Sequence, residues 1–83
     1  SASQVEAHVS IKVFQKLTGR TNAALEQISQ VSQLFSVSGE YDLIAIVQAQ
    51  SLEELSAVLD DIGNLEGVER TNSAVVLETR FRR

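Results

Sequence analysis

At 83 residues, with no cysteine and a single histidine, His8, the chain has room for one core, and a disulfide framework or a His/Cys metal cluster is excluded as its staple. A net charge of −4, from 11 acidic and 7 basic residues, excludes a duplex-binding surface, so no direct contact with nucleic acid is expected. No apolar run approaches the ~20 residues of a membrane span and no export signal opens the chain, so no membrane contact and a cytoplasmic location are expected.

The remaining way to stabilise so small a core is association with further copies. The absence of methionine points either to a processed start or to excision from something longer. The one basic cluster, RFRR at 80–83, reads as a solvated tail.

From residue 5, VEAHVSIKVF alternates strictly, with Val5, Ala7, Val9, Ile11 and Val13 on one side and Glu6, His8, Ser10 and Lys12 on the other. Period two predicts a strand. After LTGR, where Gly19 supplies a turn, Thr21 and Asn22 offer N-cap oxygens to a short helix with Ala24, Leu25, Ile28 and Val31 on one face. QLFSVS and LIAIVQAQ then flank the turn SGEYD, which predicts a hairpin carrying Gly39.

Ser51 and Glu54 form an S-x-x-E capping box, so a second helix starts at or just after Ser51. Its apolar residues, Leu52, Leu55, Val58, Leu59 and Ile62, share one stripe, and Gly63 stands where a left-handed C-terminal residue belongs. In VERTNSAVVLETRF, the run Ala74, Val75, Val76, Leu77 predicts a long final strand.

The order strand, helix, strand, strand, helix, strand is a βαββαβ chain, an α+β fold of the ferredoxin-like kind with an antiparallel four-stranded sheet and both helices on one face. The other face is left bare. Yet in the third strand Leu43, Ala45, Val47 and Ala49 oppose Ile44 and Ile46, and in the fourth Val75 and Leu77 oppose Ala74 and Val76. Strands apolar on both sides call for cover on both sides, and a second copy, sheet against sheet, is the simplest second cover. The row Glu6, His8, Ser10, Lys12 must then be wet or paired across that contact.

Catalytic equipment is sparse: no cysteine nucleophile, no second histidine, no Gly-rich phosphate loop and no metal-ligand spacing, so no catalytic residue, metal or cofactor is assigned. His8 and Glu6 share a strand face without being placed to pair tightly, which reads as a structural or surface histidine. Glu53, Glu54, Asp60 and Asp61 read as the solvated face of the second helix, and Tyr41 as the hairpin's anchor.

The turn at 38–42 allows two readings. Gly39 permits positive φ, and Ser38, Glu40 and Asp42 surround it. Either these are ordinary hairpin-turn residues, or the backbone N–H groups hold a carboxylate while Glu40 or Asp42 holds an ammonium. Thr71, Asn72 and Ser73 are either an ordinary strand start or donors to something bound beside the hairpin.

The stretch SGEYDLIAIVQAQS, with a capped helix ending in DDIGNLEGVERTNSAVVLETRF, resembles the effector-binding domain of the Lrp/AsnC family of bacterial and archaeal transcription regulators. The likeness spans about residues 5–81, and its most specific parts are the G-x-Y-D turn at 39–42 and GVERTNSAVVL at 67–77. It implies dimers formed through the sheets, rings of dimers such as octamers or decamers, and amino-acid effectors bound in clefts between neighbouring dimers. Carried over, it places Gly39, Glu40, Tyr41 and Asp42 at the ligand, with Thr71 and Ser73 beside them.

The family's full-length regulators carry an N-terminal helix-turn-helix, and nothing before Val5 forms one. The sequence is therefore expected to be one ligand-binding and oligomerisation domain over 1–83, either stand-alone or excised, with full-length relatives as partners for co-assembly. Two rival readings remain open. One is a small enzyme of the dimeric α+β-barrel type, which would place His8 or Tyr41 in a buried cavity; the other is an assembly module that binds nothing.

Overall fold

In the computed structural model, which describes residues 4–83, the alternation that opens the chain becomes β1 (Val5–Val13). A 3-10 turn (Gln15–Leu17) leads into α1 (Thr18–Glu26). Then follow β2 (Val31–Ser36), β3 (Leu43–Ala49), α2 (Leu52–Gly63) and β4 (Val68–Val75). The strands form one antiparallel sheet in the order β2-β3-β1-β4, the ferredoxin-like arrangement expected from the element order.

The helix-facing side of the sheet is the core. Ala7, Val9, Ile11, Val13, Leu43, Ala45, Val47 and Ala49 are all buried there, packed with Leu25 of α1 and Leu55, Val58 and Ile62 of α2. Each of the larger side chains contributes about 1.5–3 kcal/mol, as an upper bound, by leaving water. Leu52, counted in the stripe of α2 from its spacing, is 64% exposed because it sits at the first helical position, ahead of the turn that reaches the sheet.

Ser51 caps α2 as its motif requires: its Oγ accepts the Glu54 N–H at 3.1 Å. The Glu54 carboxylate reaches one residue beyond the cap and accepts the Gln50 N–H at 2.8 Å, while its other oxygen accepts from Gln30 Nε2 at 2.9 Å. These two bonds, that from Gln30 first, hold the Glu54 carboxyl below its ordinary range.

Four boundaries differ from the sequence reading. The first helix starts at Thr18, because the preceding 3-10 turn has already set the helical path and Thr18 Oγ1 donates back to the Gln15 carbonyl. Gly19 is thus a helical residue, and Thr21 is no cap: it is buried inside α1, its Oγ1 donating to the Leu17 carbonyl at 2.9 Å. Val31 belongs to β2, where it pairs with Val47. Gly63 is the last residue of α2 with no left-handed backbone; Asn64 closes the helix, its N–H shared between the Asp60 and Asp61 carbonyls.

The fourth difference is the end of β4. The apolar run 74–77 is split: β4 ends at Val75, opposite Ala7, and only one further bond ties the chain to β1. The Val76 N–H donates to the Glu6 carbonyl at 2.8 Å, and β1 begins one residue before Glu6. Leu77 is left 95% exposed.

On the side away from the core, the register lines up Glu6, His8, Ser10 and Lys12 of β1 with Gln48, Ile46 and Ile44 of β3, Phe35 of β2, and Arg70, Asn72 and Ala74 of β4. Among the described residues no helix covers this face, and Phe35 is 47% exposed on it.

Candidate functional site at the hairpin turn

The turn between β2 and β3 is closed by the Val37 N–H, which donates to the Asp42 carbonyl at 3.0 Å. Gly39 within it has φ 105°, a left-handed value that disfavours any residue with a Cβ. Nothing lies within 4 Å of where that Cβ would be, so the requirement is one of backbone conformation alone.

Asp42 ties the turn to the central strand. Its N–H donates to the Ile11 carbonyl at 2.9 Å, and its Oδ2 accepts the Val13 N–H at 3.0 Å. The β1–β3 ladder ends at Ile11 opposite Leu43, so the Val13 N–H lies beyond the last rung and the carboxylate replaces the missing one. Lys12 Nζ stands 3.7 Å from the same oxygen.

Arg70, which lies opposite Lys12 in the β1–β4 register, reaches the turn from the far edge of the sheet. Its guanidinium donates to Glu40 Oε2 at 3.0 Å and lies 5.3 Å from the centre of the Tyr41 ring. Tyr41, before all other neighbours, raises the Arg70 guanidinium above its ordinary value. Each carboxylate of the turn thus has a cation from another strand: Lys12 for Asp42 and Arg70 for Glu40.

Gly39, Glu40, Tyr41 and Asp42 therefore gather with Lys12 and Arg70, two residues that sequence reasoning left out. Lys12 was legible as part of the polar side of the first strand, but only the register of β1 with β4 shows that Arg70 reaches the same place. Thr71 and Ser73 sit differently. They pair with Ile11 and Val9, so they belong to the helix-facing side of β4, with Thr71 half-buried and Ser73 exposed, while Arg70 and Asn72 occupy the other side.

His8 and Glu6 correct the expectation that they do not pair closely: His8 Nε2 and Glu6 Oε2 are 2.8 Å apart. Glu6 is held in place from the neighbouring strand, its Oε1 accepting from Gln48 Nε2 at 3.0 Å, directly across the ladder. The bond from Gln48, then that from His8, keeps the Glu6 carboxyl below its ordinary range. The His8 side chain is 48% exposed on the open face. Neither His8 nor Tyr41 lines the cleft of about 370 Å³ between α1 and β2 or that of about 330 Å³ beside the start of β1. Among the described residues no group of three or more His, Cys, Asp or Glu is placed to hold a metal ion.

Residues 6–83 match the model of the Lrp/AsnC ligand binding domain. The HTH-type transcriptional regulator FL11 of Pyrococcus abyssi is 30% identical over 73 residues, 88% of this chain and 48% of its own. A homocitrate synthase of Saccharolobus islandicus is 32% identical over 90% of this chain, which is only 16% of that enzyme. The chain thus spans about half the length of the regulators it matches and a small part of the enzyme.

Among solved structures, TTHA0845 of Thermus thermophilus is 34% identical with a TM-score of 0.86, covering 94% of this chain and 99% of its own. The feast or famine regulatory protein Rv3291c of M. tuberculosis, solved with L-methionine, is 29% identical with a TM-score of 0.78, over 94% of this chain and 53% of its own.

Proposed function

The chain belongs to the Lrp/AsnC ligand-binding domain family, and on that premise we propose that it is a non-enzymatic domain that senses an amino acid and assembles with further copies of itself. The observation that carries this reading is the relative of M. tuberculosis, a regulator of the same domain fold solved with L-methionine bound. Similarity to a short part of an enzyme as well as to regulators fits a ligand-binding module joined to different partners, and the exposure of His8 on the open sheet face, outside the two clefts described, argues against the small-enzyme reading.

The amino acid sits at the turn. A zwitterion needs both signs within a few ångströms, and the turn supplies them: Glu40 for the ammonium, Arg70 and the backbone beside Gly39 for the carboxylate. The ligand would replace the Glu40–Arg70 ion pair with two pairs of its own, and Tyr41 would border its side chain. Thr71 and Ser73 point to the other side of the sheet from Arg70, so they contribute from a neighbouring protomer, as a cleft between dimers allows. A second copy covers the open sheet face, dimers close into a ring of eight or ten, and full-length relatives join through the same contacts.

A thermal-shift screen of the twenty amino acids, with light scattering on the same samples, tests the proposal. A ligand at about 100 times its dissociation constant adds about 2.7 kcal/mol to the assembled state. The expected result is a shift with one or two amino acids that is lost in Glu40→Ala. An assembly that no amino acid shifts would refute sensing at this turn and leave an assembly module.

A further inference from the structure

Residues 76–83 carry chemistry that neither the core nor the turn uses. Beyond the bond from the Val76 N–H to Glu6, the segment turns toward the open side of the sheet, where Leu77, Thr79 and Arg82 border the 330 Å³ cleft together with Glu6 and Gln48. Glu6 and Gln48 are open-face residues bonded to each other, and the positive charge of Arg82 acts on Glu6. The segment is therefore anchored at the rim of the bare face, with Leu77 95% and Phe81 71% exposed. The Arg83 guanidinium lies 4.6 Å from the centre of the Phe81 ring.

We infer that residues 76–83 form a clasp that closes over a second copy of this chain seated on the open sheet face, burying Leu77 and Phe81 against that copy. The inference rests on the sheet-to-sheet association proposed above. Three observations select a second copy as the occupant.

The first is continuity, since the segment borders the face that lacks a cover. The second is charge: residues 76–83 carry Arg80, Arg82 and Arg83 against Glu78, a net charge of +2, while residues 1–75 carry 10 acidic and 4 basic residues, a net charge of −6, so a basic arm of one copy meets an acidic body in the other. The third is area. Four strands about 4.8 Å apart and about 25 Å long present a footprint of roughly 480 Å², short of the ~800 Å² per partner of a standard stable interface. An aromatic side chain adds up to about 150–250 Å² on burial, so Phe81 with Leu77 brings the contact toward that size.

Sedimentation equilibrium over a dilution series tests this with the parent chain, Leu77→Ala/Phe81→Ala and the sheet-face variant Ile44→Asp. The parent associates, Ile44→Asp abolishes association, and the double variant keeps its circular dichroism spectrum while its dimer dissociation constant rises about 100-fold or more, as for loss of interface anchors. A double variant with the parent's dissociation constant would overturn the clasp and leave the sheet contact standing. A parent that stays monomeric at every concentration, or an Ile44→Asp variant that forms dimers with the parent's dissociation constant, would overturn the sheet contact and the clasp with it. In the Ile44→Asp background the two alanines should leave Tm unchanged. A fall there would place Leu77 and Phe81 on their own protomer and also refute the clasp.

Discussion

Replacing Gly67 by alanine should be among the most damaging small changes in the chain, although the new group is a single methyl. Gly67 lies just before β4, where its carbonyl accepts the Phe14 N–H at 2.9 Å. A Cβ built there overlaps the hydroxyl of Thr21 and stands 3.1 Å from Leu17 Cβ and 3.3 Å from the Leu17 carbonyl oxygen. Thr21 cannot step aside cheaply: it is 2% exposed and its hydroxyl is bonded to that carbonyl. Overpacking a tight site costs about 1–3 kcal/mol, and turning the hydroxyl away breaks a bond worth about 1 kcal/mol, giving about 2–4 kcal/mol in all.

For a domain of this size that lowers Tm by roughly 8–32 °C, at about 4–8 °C per kcal/mol. The assay is urea and thermal denaturation at one fixed protein concentration, since association shifts Tm by mass action. Thr21→Ala alone loses its bond and some packing, but it removes the obstructing hydroxyl. The double variant Thr21→Ala/Gly67→Ala should therefore be more stable than the sum of the two losses by at least about 1 kcal/mol. Strictly additive losses, or a Gly67→Ala variant that melts with the parent, would refute the packing argument.

Other variants follow from the same geometry. Asp42→Ala strands the Val13 N–H and should lower stability by about 1–3 kcal/mol in urea titrations without any ligand, whereas Asp42→Asn, which keeps an acceptor, should recover most of the loss. Glycine to alanine should act in opposite directions at two sites: Gly63→Ala, in open space with helical backbone, raises stability by about 0.4–1 kcal/mol, and Gly39→Ala, at φ 105°, lowers it by about 1–2 kcal/mol. Ser51→Ala should cost about 1 kcal/mol by removing the cap of α2. Because the Glu54 carboxyl is held below its ordinary value of 4.5, its contribution is complete above that pH and is lost as pH falls through the lower folded value. Urea midpoints for Glu54→Gln should accordingly fall less steeply below about pH 4.5 than the parent's.

Element order and the core were legible because period two and period 3.6 report which residues face inward, and the inward set of β1, β3 and α2 is nearly unmixed. The start of α1 was not. Thr21 and Asn22 look like caps by composition, yet the backbone turns helical at the 3-10 segment before them, and a threonine hydroxyl bonded within its own helix gives no distinguishing pattern. Gly63 misled for a similar reason: glycine permits a left-handed cap without demanding one, and Asn64 closes the helix instead. At the turn, the local residues Gly39 to Asp42 were legible, but their partners come from strands far away in sequence. Period two puts Arg70 and Thr71 on opposite sides of β4, and only the pairing with β1 decides which side meets the turn.

β1 is held along both of its edges, by β3 from Val5 to Ile11 and by β4 from Ala7 to Val13. A slip of one residue against either neighbour would carry Ala7, Val9 and Ile11 out of the core and put Glu6, His8 and Ser10 in their place, so the strand has no second register within reach. Asp42 grips this strand at Ile11 and Val13. The grip falls where the β1–β4 register shifts, between Lys12 and Val13, while at the opposite end of β1 the Val76 N–H is bonded to the Glu6 carbonyl. On the function proposed above, a ligand at the turn would therefore act on the position of β1 as a whole and leave its register unchanged.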